Sequence, residues 1–394
     1  MHEPPRPPRR LKSIDVLRGV AVLLVLVNHL DPQTVPGLPE LRGPWAAVYW
    51  RLKQFGWTGV DLFFVLSGFL ISGLLFSELG RRGTLDCVSF WWRRGFKIWP
   101  SYLALLLVLG VTGATGFLHG TTWSEQLGSL LPHLLFFQNY LEAKPNGPTW
   151  SLAVEEHFYL LLPLLLLGLA AGTRRRPVDW GRWLGWSTLG VMVVCLALRC
   201  ARVLSGAHPD DFMRTHFRLD SLMVGVYCQY LWTYRRPGVE RLLAWPRTAL
   251  ALSLVLLVPA LFLPTRHAVM FTLGFPALAL AYALLLLLWV GGTFSRWEDT
   301  LAATCLARVG TWSYNVYLWH FFMAALNLAF YAQVNQLLAE RLSPSPSRFL
   351  LQAALYLGYS LAVGAAATWG IERPLLRLRE RVSPSRAVPT PAPT

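Results

Sequence analysis

The segment Ser13-Ile-Asp-Val-Leu-Arg-Gly-Val-Ala-Val-Leu-Leu-Val-Leu-Val-Asn-His29 decides the fold class, because it is apolar enough to cross a membrane yet carries Arg18 and His29. Ionisable side chains inside such a span cost roughly 2–3 kcal/mol each, so both are candidate functional groups. Eleven helical steps make about three turns, which leaves the two side chains about 20° apart around the axis and roughly 16 Å apart along it. One helix face therefore carries a guanidinium at one end and an imidazole at the other.

The composition indicates an all-α, polytopic membrane protein. Hydrophobic residues make up 54% of the 394, and the mean hydropathy of +0.41 is too high for a soluble protein of this length. Many stretches approach the roughly 20 apolar residues that cross a bilayer. We predict a transmembrane helical bundle of about ten spans, near residues 14–31, 58–77, 98–116, 151–171, 184–203, 217–233, 247–264, 269–291, 309–331 and 349–371.

Charge bias predicts the topology. With ten spans and an inside N-terminus, all the basic connections fall on the cytoplasmic side, as does the C-terminus. The segment Leu127 to Leu141 is apolar but short, and counting it as a span would move Arg174-Arg175-Arg176 outside. It is therefore predicted to be an external interfacial or re-entrant helix. The basic connections are Arg9 to Lys12, Arg81 to Lys97, Arg174 to Arg176, Arg235-Arg236, Arg296 to Arg308 and Arg373 to Arg381.

The same bias accounts for the net charge of +15, so nucleic acid is not an expected partner. The five cysteines show no metal-ligand spacing, and no metal site is expected. The predicted organisation is a cytoplasmic basic tail over 1–12, a membrane domain over 13–378 and a disordered cytoplasmic tail over 379–394.

Acidic and imidazole groups of four predicted spans lie at similar depth in the outer half of the membrane. They are His29, Asp61, Glu155 and Asp220, and they could converge on one site. Each also has a structural explanation. The two aspartates could cap helix N-termini, His29 could be an interhelical hydrogen-bonding group, and Glu156 could face a polar lumen.

Basic residues gather at the opposite, cytoplasmic level: Arg18, Arg93, Arg94 and Lys97. Arg94 and Lys97 are one helical turn apart and could share one anionic ligand. The alternative is that these side chains are topology anchors that snorkel to the interface. Tyr317 and His320, three residues apart in mid-span, either face a cavity together or pack one beneath the other.

At these residues the chain resembles the acyltransferase-3 family of integral-membrane acyltransferases, from Ser13 to about Arg377. Any single motif is weak, but their order and spacing together are specific. The motifs are Ile14-Asp-Val-Leu-Arg-Gly-Val-Ala, Gly59-Val-Asp-Leu-Phe-Phe-Val-Leu-Ser-Gly-Phe, Arg93-Arg94-x-x-Lys97-x-x-Pro100, Trp150-Ser-Leu-Ala-Val-Glu-Glu, Arg218-Leu-Asp-Ser, Ser313-Tyr-Asn-Val-Tyr-Leu-Trp-His and Ile371-Glu-Arg-Pro374.

The resemblance implies an O-acyltransferase of the inner (plasma) membrane. It would move an acyl group from acyl-CoA to a hydroxyl of a glycan or a glycosylated small molecule. The expected acyl group is acetyl. The family's motif of a basic residue and a His with ten residues between them matches Arg18 and His29, and its Arg-x-x-Arg motif matches Arg94 and Lys97. Lysine at the second position loses the bidentate fork. Larger family members append a soluble esterase-like domain, which is not expected in this chain, so the membrane domain or a separate protein would complete the transfer.

The resemblance also gives a mechanistic hypothesis. His29 acts as general base on the acceptor hydroxyl or briefly carries the acyl group, and Glu155 or Asp61 orients its imidazole. Transporters and flippases need the same buried charges, but no internal repeat is evident in this sequence. The CoA phosphates are expected on Arg18, Arg93, Arg94 and Lys97, and the acceptor beside Glu156, Asp220, Tyr317 and His320.

Overall fold

The computed structural model describes residues 9–31, 35, 38–39, 41–114, 123–141, 149–173, 181–206, 212–325 and 329–382. All regular elements in these ranges are helices. The α-helices are α1 (Arg9–Asn28), α2 (Pro44–Gly56), α3 (Gly59–Arg82), α4 (Cys87–Ala114), α5 (Trp123–Leu134), α6 (Trp150–Thr173), α7 (Gly181–Leu204), α8 (Leu219–Tyr234), α9 (Arg236–Leu243), α10 (Pro246–Phe262), α11 (Phe275–Val290), α12 (Ser295–Glu298), α13 (Leu301–Ala325), α14 (Ala329–Arg341), α15 (Pro346–Ala367) and α16 (Arg373–Val382).

A helix occupies each of the ten ranges predicted to be spans. Six stretches are long and apolar enough to cross a membrane, or seven if the pair α9 and α10, bent by 87°, is one span. The multi-pass, all-helical class is thus confirmed for the described ranges. The count of ten and the sidedness of the termini stay predictions, since α8 has only 16 residues and α1 carries Lys12, Asp15 and Arg18.

Helix α1 lies at the centre of the bundle. It packs against α2, α3, α11 and α13, and its residues belong to two apolar clusters. Ile14, Leu17 and Ala21 join the cluster built around α11, whereas Val22 and Val25 join the cluster of α3, α4, α6 and α13. Burial on several sides explains how a helix with this many polar residues is held inside the bundle.

Glycines allow two close helix crossings. A Cβ at Gly19 of α1 or Gly310 of α13 would collide with the main chain of the other helix, at Leu306 and Asp15 respectively. Helix packing in membranes depends on small residues that let backbones approach in this way. The α1–α13 crossing brings together α1, which His29 follows directly, and the helix that carries His320.

Gly68 of α3 and Gly225 of α8 form an equivalent crossing. A Cβ at Gly68 would meet the main chain of Leu222, and one at Gly225 the main chain of Val65. The close approach of α3 and α8 brings Asp61 of α3 beside Arg218, the residue that precedes α8.

The C-terminal segment differs from its predicted organisation. A π-helical turn over Thr368–Glu372 links α15 to α16, and α16 continues to Val382. The expectation of disorder from residue 379 is wrong as far as Val382, because the leucines and arginines of α16 keep an amphipathic helical pattern to that point.

Two other predictions concern connections between spans. Helix α5 has 12 residues, or about 18 Å, which is too short to cross the hydrocarbon core, in line with the non-spanning segment predicted there. The basic run Arg174-Arg175-Arg176, most of the tail over 1–12 and residues 383–394 lie outside the described residues.

Candidate active site

Three cavities adjoin one another, and residues of the α1 segment line two of them. The basic vestibule has a volume of about 470 Å³, the central cavity about 160 Å³ and the histidine cavity about 300 Å³. Arg94 and Lys97 line both the vestibule and the central cavity. Val60 and Tyr317 line both the central cavity and the histidine cavity. The two ends of the Arg18–His29 face therefore lie in neighbouring cavities, with Arg18 in the central one and His29 in the last.

The basic vestibule carries a large excess of positive charge. Six cationic side chains and one carboxylate, Glu78, line it. Glu78 is shared by Arg82 at 3.2 Å and Arg93 at 3.3 Å. An excess of guanidinium groups around one space is the arrangement that binds phosphate. The cations come from the end of α3, the start of α4 and α16: Arg81, Arg82, Arg93, Arg94, Lys97 and Arg379.

An Asx cap fixes the start of α4. Asp86 accepts hydrogen bonds from the main-chain N–H of Ser89 at 3.0 Å and from its hydroxyl at 2.6 Å. These two bonds hold the pKa of Asp86 below its ordinary value. The cap satisfies one N–H group that the helix itself leaves without a partner, and so orients the first turns, which present Arg93 and Arg94 to the vestibule.

Lys97 belongs to a polar network that links three elements. Its ammonium contacts Glu372 of the π-helical turn, and Asn315 of α13 donates to the same carboxylate at 2.7 Å. Ser101 of α4 donates to Asn315 at 2.5 Å and accepts from Trp319 at 3.0 Å. The charge of Lys97 is thus compensated, and the lysine that replaces the family's second arginine also holds α4 against α13.

Arg94 is placed differently from the other predicted donor-binding cations. Arg18 lies 3.8 Å from Asp15, and Arg93 and Lys97 have the carboxylate partners given above. Among the described residues Arg94 forms no ion pair within 4 Å, and its guanidinium lies 5.9 Å from the ring centre of Phe90. It lines the junction of the vestibule and the central cavity, where an anionic ligand would complete its coordination.

Glu155 lies among these cations in the central cavity, whereas its predicted partner, His29, lines the histidine cavity. Glu155 shares the central cavity with Arg18 and Arg94, and it accepts a hydrogen bond of 2.7 Å from Tyr159. Tyr159 in turn bonds to Ser67 at 2.7 Å. The predicted convergence of Glu155 with His29 is therefore corrected, because a partly buried carboxylate is most stable next to cations and hydrogen-bond donors, which the central cavity supplies.

The histidine cavity contains the imidazole of His29 against that of His320. The ring centres are 4.9 Å apart in an edge-to-face arrangement. Nδ1 of His29 lies 2.9 Å from the carbonyl oxygen of Val25, and Nδ1 of His320 lies 2.6 Å from that of Tyr317. Because a carbonyl only accepts, each Nδ1 carries the hydrogen, and each neutral ring has its lone pair on Nε2. A main-chain carbonyl thus orients the His29 ring, which is the task predicted for a carboxylate.

The two predicted aspartates form buried ion pairs. Arg218 donates to Asp61 at 2.8 Å, and Arg199 donates to Asp220 at 2.7 Å. The expectation that both aspartates converge on His29 is corrected, since a charge in the low-dielectric interior requires a counter-ion, and each aspartate has an arginine. Arg218 itself lines the histidine cavity. Sequence reasoning noted Arg218 only as part of a motif and assigned it no role.

The remaining predicted residues divide between the wall and the periphery of the site. Tyr317 stands between the central and histidine cavities, with its hydroxyl 2.5 Å from that of Ser151. Glu156 is buried and lines none of the three cavities. The structure therefore brings Tyr317 and His320 next to His29, and places Glu156 and Asp220 in other surroundings.

Comparison with known proteins decides the family. A family model for an acyltransferase domain, acyltransferase-3, matches residues 11–369. The chain belongs to the acyltransferase-3 family. The acyltransferase-3 match covers the central and histidine cavities, whereas Arg379 of the basic vestibule and Glu372 lie beyond it. The chain's apolar helices make it a multi-pass membrane member of this family.

The acyltransferase-3 relatives are O-acetyltransferases by name. O-acetyltransferase OatA of Staphylococcus aureus strain NCTC 8325 / PS 47 is 25% identical over 343 residues, covering 83% of this chain and 52% of that protein. A provisionally named O-acetyltransferase of S. aureus strain COL is 26% identical over 346 residues, covering 82% of this chain and 52% of its own. The chain thus spans about half the length of the curated relatives it matches. No solved structure matches it.

Proposed function

We propose that the protein transfers an acyl group, acetyl in the simplest case, from acyl-CoA to a hydroxyl of a glycan or a glycosylated small molecule. The observation that carries the proposal is the succession of adjoining cavities from a cluster of six cations to His29. A donor with a multiply charged head and a long, narrow arm fits that succession. The O-acetyltransferase names of the relatives support acetyl as the group transferred.

In the proposed complex, the basic vestibule holds the phosphates of CoA. Arg94 lies at the inner end of the vestibule and has no ion pair among the described residues. Its guanidinium is therefore available to bind the diphosphate of CoA. Arg81, Arg82 and Arg379 add positive charge for the remaining phosphate. The charge bias of the connections supports a cytoplasmic location for this end of the protein, on the side of the inner membrane where acyl-CoA is made.

The pantetheine arm then occupies the central cavity. The roughly 16 Å between Arg18 and His29 along α1 is comparable to its extended length. Ile71, Leu70 and Leu152 give this cavity apolar walls, and Glu155 offers a carboxylate to the amide N–H groups of the arm. Val60 and Tyr317 form the wall between the central and histidine cavities. When the arm passes this wall, its thioester reaches the imidazole of His29.

His29 then acts on the acceptor hydroxyl. With the hydrogen on Nδ1 held by Val25, the lone pair on Nε2 takes the proton of the hydroxyl as its oxygen attacks the thioester carbon. The C–O bond forms, the C–S bond breaks, and the proton passes from Nε2 to the leaving CoA thiolate. Edge-to-face contact with His320 limits the orientations open to the reacting ring.

Replacing His29 tests this proposal. We expect His29→Ala to abolish transfer of label from [14C]acetyl-CoA to glycans and glycosides in vesicles of cells that express the protein. His267→Ala is the matched control, because this histidine lies exposed in the connection before the π-helical turn that leads into α11. Both variants should insert and purify like the wild type. Transfer by His29→Ala at the wild-type rate would refute the assignment, and solute movement without acyl-CoA would indicate a transporter.

A further inference from the structure

Arg218 is the cation of the histidine cavity. It precedes α8, is 1% exposed and lines the cavity together with His29 and Tyr317. One amino group, Nη2, donates to Asp61 at 2.8 Å. Its other two nitrogens, Nη1 and Nε, are buried and have no hydrogen-bond partner among the described residues. The guanidinium carbon lies over the ring of Phe275, 3.9 Å from the ring centre, a cation–π contact that helps to hold the side chain in place.

Buried donors without acceptors are uncommon and costly. Leaving one unsatisfied costs about 1–3 kcal/mol, and more when the donor is charged. Arg199, the other buried arginine of this region, differs in two ways. Both of its amino groups donate, to the carbonyl of Phe217 at 2.5 Å and to Asp220 at 2.7 Å, so that only its Nε has no partner among the described residues, and it is absent from the lining of the histidine cavity. The donors of Arg218 thus call for an acceptor atom that a ligand in the cavity brings.

We propose that Arg218 is a catalytic residue that stabilises the oxyanion of the tetrahedral intermediate, an inference that rests on the proposed acyl transfer. When the acceptor oxygen attacks the thioester carbon, the carbonyl electron pair moves to oxygen. The N–H groups of Arg218 donate to that negative oxygen. The pair returns as the C–S bond breaks, the CoA thiolate leaves, and His29 gives it the proton taken from the acceptor. Asp61 holds the guanidinium in place and is a positioning residue.

The proposal predicts a loss in kcat with little change in KM for the donor. Removing one oxyanion donor costs about 100- to 1,000-fold in kcat in enzymes where this has been measured. We expect that loss for Arg218→Gln and for the double variant Asp61→Asn/Arg218→Gln, which removes both charges and so leaves neither buried alone. Asp61→Asn alone keeps an acceptor for Nη2 and should stay within tenfold of the wild type. Each is assayed with [14C]acetyl-CoA as the donor.

Arg199→Gln is the matched control, since it also removes a buried guanidinium from an aspartate. It should lower the yield of folded protein but leave turnover per folded molecule unchanged. The proposal is overturned if the folded double variant turns over within threefold of the wild type, or if Asp61→Asn or Arg199→Gln shows the same loss. Failure of the proposed function looks different, because the wild type would then lack transfer from acetyl-CoA or His29→Ala would retain it.

Discussion

Replacing Arg94 by glutamine should weaken the binding of the acyl donor while leaving the fold intact. Among the described residues Arg94 has no ion pair. Removing its charge therefore deprives none of their carboxylates of an ion-pair partner. A hydrogen bond to a charged group contributes about 1.5–3 kcal/mol, which corresponds to roughly a 10- to 100-fold rise in KM for acetyl-CoA.

Arg93 is the matched comparison on the same helix. Its charge is already shared with Glu78 at 3.3 Å, and its side chain is 41% exposed and therefore screened by solvent. Exposed pairs of this kind contribute about 0–1 kcal/mol, so Arg93→Gln should raise KM no more than about fivefold.

Initial rates measured against acetyl-CoA concentration, at low and at high salt, would separate the two variants. The effect of Arg94→Gln should persist at high salt, because Arg94 lies at the junction of the vestibule and the central cavity, whereas any effect of replacing the more exposed Arg93 should diminish. Equal KM values for Arg94→Gln and the wild type, or a larger effect of Arg93→Gln, would contradict the assignment of Arg94 to the donor site.

Three further predictions concern stability, each measured by thermal denaturation in detergent. Asp86→Ala removes the cap of α4 and should lower the free energy of unfolding by about 1 kcal/mol. Folding lowers the pKa of Asp86, so the cap contributes its full stabilisation above the unfolded pKa of about 3.9. That stabilisation is lost as the pH falls through the lower pKa of the folded state. Gly225→Ala forces a Cβ against the main chain of Val65 and should cost about 1–3 kcal/mol, whereas Gly190→Ala meets no atom within 4 Å and should leave stability equal or slightly higher. Lys97→Gln should cost about 3 kcal/mol because it leaves the buried carboxylate of Glu372 without its cation, whereas Lys97→Arg should retain most of the stability. Equal melting temperatures for Lys97→Gln and the wild type would exclude the Lys97–Glu372 pair as a stabilising element.

Hydropathy and charge alone predicted the helical class and the location of every helix assigned to a span. Both follow from local properties: apolar runs of sufficient length become helices in a bilayer, because no other conformation satisfies their main chain. The grouping of Arg18, Arg94 and Lys97 around one space also followed from sequence, since helix direction fixes which ends of the spans meet.

The partners of the acidic residues could not be predicted in this way. Depth along a helix does not determine the face on which a side chain lies, nor which neighbouring helix that face meets. Asp61 was assigned to His29 by depth, yet the close α3–α8 crossing allowed by Gly68 and Gly225 places Arg218 against it. Glu155 likewise lies on the face of α6 that meets the cations of the central cavity.

The sequence by itself determined that this protein is an all-α membrane protein with a guanidinium and an imidazole on one helix face, because helical periodicity and hydropathy are properties of a single segment. Only the tertiary structure decided what surrounds that face. The α1–α13 crossing sets His320 against His29, a main-chain carbonyl orients the imidazole, and Arg218 is the cation beside it. Those contacts join residues far apart in the chain, and the packing of helix backbones at small residues selects them.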